Sequence, residues 1–212
     1  MAEEMTALIF GACPGQSWGF LKELCPSPDL VVAADGGIRW AREAGYEPDL
    51  LVGDWDSGGA PEEGIPSVTL VPEKDLTDLQ AALELCLERG VRRVVLTACL
   101  GGRLDQTMAN LGLLEWFHQR GGEALAAEEG NLALFWPGGV RTLPRDEHYR
   151  FLSIIPLDET VSGVTLRGVK YPLTGAVIRR GDTLTISNEI TDREAVLSSE
   201  QGRALIVRSQ RR

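Results

Sequence analysis

The sequence predicts an α/β protein: an N-terminal domain built on a parallel sheet covered on both faces, followed by a small all-β domain. Three observations carry this. Over the first two-thirds of the chain, short apolar runs alternate with amphipathic stretches of helical period. Two of those runs end directly on an aspartate, as the strands of an open parallel sheet do where they meet a ligand. After about Pro137, helical periodicity gives way to period-two alternation broken by turn residues.

Thr6–Phe10 is the first apolar run and reads as a strand. Leu30–Ala34, Leu50–Gly53 and Ser67–Val71 are three more. Ile38–Ala44 suits a helix closed by Gly45. The stretch from Leu76 to Arg89 is the clearest helix, because Leu76, Leu79, Leu83, Cys86 and Leu87 recur at spacings of three and four. Thr77 with Gln80 matches a capping box, and Gly90 ends the helix. Arg93–Ala98 reads as a buried strand. Leu104–Arg120 reads as a second long helix, with Leu104, Met108, Leu111 and Leu114 facing inward. From Tyr149 onward the runs Phe151–Pro156, Val164–Leu166, Leu184–Ser187, Ala195–Leu197 and Ala204–Arg208 read as strands. Domains are therefore expected at 1–137 and 138–212, the second small enough to need a partner surface.

Composition narrows the function. With 43% hydrophobic and 25% charged residues, the chain is ordinary for a folded protein. Its apolar runs fall far short of the ~20 residues of a membrane span. Met1 to Thr6 holds two glutamates and no basic region, so a secretion signal is not expected. The four cysteines (Cys13, Cys25, Cys86, Cys99) are scattered, and only His118 and His148 could join them, which argues against zinc or a disulfide framework. A cytoplasmic protein without a membrane partner follows. A formal charge of −10 argues against nucleic acid. If the ligand is a polyphosphate, that acidity calls for a divalent cation to screen carboxylate from phosphate.

Three clusters carry chemistry. In Leu50-Leu51-Val52-Gly53-Asp54-Trp55-Asp56-Ser57, an apolar strand delivers carboxylates at i and i+2, on one face if the extended conformation persists. Asp35 stands at the matching end of another strand, and a hard cation such as Mg²⁺ would relieve the repulsion among the three. A simple turn would also use these residues, since aspartate and glycine are common there. In Lys74-Asp75-Leu76-Thr77-Asp78, the acids oppose a helix dipole without needing any ligand. Lys74 is harder to dismiss, being one of three lysines against eighteen arginines. In Gly101-Gly102-Arg103-Leu104-Asp105-Gln106, followed by Asn110, the glycines let backbone approach a ligand and Arg103 could fork onto phosphate oxygens. An ordinary turn between strand and helix explains this cluster equally well. No P-loop or dinucleotide fingerprint is present.

In order, Asp35-Gly36-Gly37, Pro48 through Ser57, Lys74-Asp75-x-Thr77-Asp78, Gly101-Gly102-Arg103-x-Asp105, Ala109-Asn110, Gly168 through Leu173 and Ser187-Asn188-Glu189 resemble the thiamine pyrophosphokinase family over nearly the whole chain. The resemblance implies a C-terminal β-sandwich and a homodimer with active sites at the subunit interface. It implies Mg²⁺ held by Asp54, Asp56 and Asp75, with Asp35 and Asp78 close by. It further implies ATP bound through Asp35, Ser57, Lys74, Thr77, Gly102, Arg103, Asp105 and Gln106, and thiamine through Asp78, Tyr171, Thr185, Ser187 and Asn188. On this basis Asp54, Asp56, Lys74, Asp75, Asp78, Arg103 and Asp105 form the catalytic set. Gln106 stands where the family commonly has histidine, and Ile186 where it commonly has threonine.

Two rivals remain from the residues alone. A phosphatase of the haloacid dehalogenase type also runs an apolar strand into D-x-D, with its first aspartate as nucleophile. A thiamine- or nucleotide-binding sensor would keep the fold without turnover.

Overall fold

Apolar runs of four or five residues bounded by turn residues dictate the strands of the first unit. The structure is a computed structural model and describes residues 4–14, 17–55, 61–71 and 75–210. The chain forms two compact units, 1–129 and 130–212. In unit 1 the elements run β1 (Thr6–Phe10), α1 (Leu21–Leu24), β2 (Leu30–Ala34), α2 (Gly37–Glu43), β3 (Leu50–Gly53), β4 (Ser67–Thr69), α3 (Asp78–Glu88), β5 (Arg93–Thr97), α4 (Leu104–His118) and β6 (Glu123–Glu128). The strands pair in parallel in the order β6-β5-β1-β2-β3-β4. Strands β1, β2, β3 and β5 are buried almost end to end, as a sheet covered on both faces requires. The chain steps outward from β1 to β4, then returns to β5 on the other side of β1. The order reverses there, which opens a crevice at the carboxyl ends of the strands.

Local chemistry sets the helix ends. Thr77 caps α3, its hydroxyl accepting from Gln80 N at 3.3 Å, and Gly90 beyond the helix takes φ 80°. Gly37 opens α2 against the end of β1. A Cβ there would collide with Phe10 O and crowd Gly11 O at 2.9 Å. Gly37→Ala is therefore expected to cost about 2 kcal/mol, seen as a fall in Tm of about 4–8 °C. An unchanged melting curve would contradict this packing.

The face that α4 buries differs from expectation, and β6 forms against local propensity. Leu104 and Met108 are 74% and 62% exposed, while Leu114 is buried as expected, together with Asn110, Leu113 and Phe117. Apolar residues occur all round this helix, so its periodicity could not choose a face; packing against β6 does. Glu123–Glu128, all good helix formers, forms a strand in register with β5, Leu96 opposite Ala126. Long-range pairing overrides propensity here.

Unit 2 contains β7 (Asn131–Trp136), β8 (Gly139–Pro144), β9 (Phe151–Pro156), β10 (Thr160–Arg167), β11 (Leu173–Arg179), β12 (Asn188–Glu189), β13 (Glu194–Ser199) and β14 (Ala204–Ser209). They form two antiparallel layers, β12-β9-β14-β7 and β11-β10-β13-β8, with the alternation of a sandwich. The composition shifts after Pro137, whereas the compact units divide at 129/130, which leaves β7 in the same unit as its antiparallel partner β14. Leu184–Ser187 is a turn and not the expected strand: Thr185 is buried while Leu184 and Ile186 are exposed. Among the described residues no helix is long and apolar enough to cross a membrane.

Candidate functional site

The crevice is a cavity of about 570 Å³ where β1, β2, β3 and β5 end. Gly11–Pro14 line it after β1, Asp35 after β2, Asp54 after β3, and Ala98 and Cys99 after β5. Leu76, Thr77, Asp78 and Leu79 enter from the start of α3. Gly101, Gly102, Arg103, Gln106 and Asn110 enter from the start of α4. Three non-glycine residues at these strand ends hold the left-handed conformation: Asp35 at φ 50°, Trp55 at φ 63° and Ala98 at φ 51°. Such conformations are costly for residues with a Cβ and cluster where the backbone is shaped for a ligand.

The cavity thus joins Asp35, Asp54, Thr77, Asp78, Gly102, Arg103 and Gln106, which lie in four separate segments of the sequence. Asp35, Asp54 and Asp78 are half-buried. Asp75 is exposed and Asp105 is exposed, and neither lines the cavity. Asp56, Ser57 and Lys74 lie outside the described residues. The extended conformation that the Asp54/Asp56 alternation assumed stops at Gly53, where β3 ends, and Trp55 takes φ 63°. Among the described residues, no three His, Cys, Asp or Glu side chains are grouped to share a metal.

Arg103 and Asp105 form an ion pair at 2.6 Å on the solvent side. That hydrogen bond holds the Asp105 carboxyl below its usual range. The glycine turn before them is held by several side chains. Gly101 takes φ 113° and Gly102 φ 62°, conformations that favour glycine. Thr107 Oγ1 accepts from Gly101 N at 2.9 Å, and Asn110 Nδ2 donates to Cys99 O at 2.7 Å. Glu128 Oε1 accepts from Cys99 N at 2.9 Å and from Leu100 N at 3.1 Å. Sequence reasoning assigned no element to Glu123–Glu128 and passed over Glu128, whose partners lie 28 and 29 residues away. The Gly11–Pro14 turn was missed too; the apolar strand before it was the available signal.

In unit 2 the four residues expected at thiamine divide into two pairs. Thr185 is buried, and its hydroxyl donates to Ile154 O at 2.6 Å. Asn188 is buried, and its amide bonds to both Tyr171 N and Tyr171 O, at 3.0 and 2.8 Å. Tyr171 is 58% exposed, and Ser187 is exposed in a left-handed conformation at φ 61°. The buried pair brace the backbone that presents the exposed pair.

Known proteins share this organisation. The family model described as thiamin pyrophosphokinase, catalytic domain, matches residues 21–125, and that described as thiamin pyrophosphokinase, vitamin B1 binding domain, matches residues 141–203. A thiamine pyrophosphokinase of Bacillus subtilis is 31% identical over 186 residues, covering 85% of this chain and 87% of that one. The crystal structure of thiamine pyrophosphokinase from Bacillus subtilis superposes with a TM-score of 0.89 at 27% identity, over 98% of this chain and all of that one. The thiamin pyrophosphokinase structure from Geobacillus thermodenitrificans gives 0.86 at 32% identity, over 98% of each chain. With both family models matched in order, and a relative this similar along most of its length, the chain is an enzyme that belongs to the thiamine pyrophosphokinase family.

Proposed function

We propose that this enzyme, as a homodimer, transfers a diphosphate group from ATP to the hydroxyl of thiamine with Mg²⁺, releasing thiamine diphosphate and AMP. One observation carries the proposal. Carboxylates from two strand ends, a glycine turn, an arginine and the start of two helices line a single cavity. That is the equipment for a metal-bound polyphosphate.

The donor set fits Mg²⁺, which is commonly held by one or two carboxylates together with phosphate oxygens and water. Asp54 and Asp35 line the cavity, and the family resemblance adds Asp56 and Asp75. When bound, the ion supplies neutralisation of the phosphate charge. Arg103 and Lys74 would bind further phosphoryl oxygens, with Arg103 exchanging Asp105 for phosphate. Thr77, Gly102 and Gln106 would complete the ATP site from the cavity walls, with Ser57 joining from the D-x-D segment.

In the reaction the thiamine oxygen bonds to the β-phosphorus, and the bond from that phosphorus to the oxygen bridging to the α-phosphate breaks. AMP leaves with that oxygen. The hydroxyl proton passes to Asp78, which lines the cavity at the first turn of α3. Asp105 is the poorer acceptor, since Arg103 already claims its charge. Gln106 offers no basic nitrogen, so it does not serve as the general base, a role left to Asp78. Tyr171 and Ser187 are the proposed thiamine contacts, with Thr185 and Asn188 bracing them. The free thiols of Cys13, Cys25, Cys86 and Cys99 suit a reducing compartment such as the cytoplasm.

The test is to incubate the enzyme with thiamine, ATP and Mg²⁺ and identify the nucleotide released. AMP in step with thiamine diphosphate is expected, and its formation should stop when EDTA removes the metal. ADP, or no turnover, would overturn the proposal.

A further inference from the structure

We infer that Glu128 is a positioning residue for this reaction, its half-buried carboxylate holding the 98–102 turn in the shape that receives the nucleotide phosphates. The inference rests on the cavity being the ATP site. Glu128 closes β6, two residues beyond Ala126, which pairs with Leu96 of β5. This places its carboxylate beside the end of β5, where Ala98 is forced to φ 51° and the chain leaves the sheet for Gly101 and Gly102. An alanine keeps that conformation only where its surroundings over-determine it.

The surroundings do so with side chains from three elements. Asn110 and Thr107 of α4 hold the carbonyl of Cys99 and both polar groups of Gly101. The Cys13 thiol, after β1, donates to Leu100 O at 3.5 Å. Glu128 accepts hydrogen bonds from the amides of Cys99 and Leu100. It is the ionisable carboxylate of this set, and hydrogen bonds to an ionised group are the stronger kind. Burial pushes its pKa up, and the backbone amides pull it back. Holding an acid half-buried here is costly, and the organised turn offsets that cost. Glu128 does not line the cavity, so it acts through Gly101, Gly102 and Arg103 and touches no substrate.

Glu128→Ala and Glu128→Gln separate this role from general stability. The alanine variant is expected to raise KM for ATP about tenfold or more, with KM for thiamine within about twofold of the parent. The glutamine variant keeps one acceptor oxygen and should lose only about threefold. Amide exchange at Cys99 and Leu100 should quicken about tenfold in Glu128→Ala and about threefold in Glu128→Gln, with distant β-strand amides unchanged. Equal losses for ATP and thiamine, or unchanged exchange at these two amides, would overturn the inference. If the alanine variant does not fold, the glutamine variant decides by the same two readings. Should the wild type release no AMP, the functional proposal falls; the exchange measurement, which needs no ligand, then still decides whether Glu128 holds the turn.

Discussion

Asp54→Asn is expected to lower kcat/KM for diphosphate transfer by roughly a thousandfold or more while leaving the protein folded. Asparagine has nearly the shape of aspartate, so the half-buried position after β3 loses little packing. What it loses is a negative charge at the cavity where phosphates and a cation must balance. The change in stability should stay within about 1 kcal/mol, since no core side chain is altered. AMP release, followed beside a thermal melt, separates the two effects. A variant with activity within about tenfold of the parent would remove Asp54 from the metal site, and with it the main support for Mg²⁺ in this cavity.

Arg103→Ala is expected to cost roughly a hundredfold or more in kcat/KM, much of it as a raised KM for ATP. The Arg103 side chain is 72% exposed, and its pair with Asp105 lies in solvent, where such pairs add little to folding. A loss of activity therefore cannot be charged to instability. Arg103→Lys should recover only part of the activity, because an ammonium restores the charge and not the planar fork. If both variants keep the parental KM and kcat, phosphate binding lies elsewhere in the cavity.

Both predictions start from motifs that the sequence displays. The strands ending at Phe10, Ala34 and Gly53, the Thr77 cap and the Gly90 stop follow from continuous apolar runs, capping and turn chemistry, which act between near neighbours. The same locality explains the errors. In α4, Leu104 and Met108 are as apolar as Leu113 and Phe117, and nothing along the helix tells them apart. Leu184–Ser187 alternates like a strand, yet Thr185 bonds to Ile154, 31 residues away, and the segment turns. At Trp55 the left-handed φ of 63° interrupts the extended conformation after β3, and Asp56 lies outside the described residues.

The sequence by itself determined the fold class, the family, and which polar residues deserve attention, because those depend on residue types in a fixed order. Only the tertiary structure decided which of them share a cavity: Asp35, Asp54, Asp78 and Arg103 do, while Asp75 and Asp105 stay outside its lining. It alone revealed Glu128 beneath the glycine turn. The physical reason is that strand pairing between β5 and β6 brings together groups distant in sequence, and no local pattern encodes that meeting.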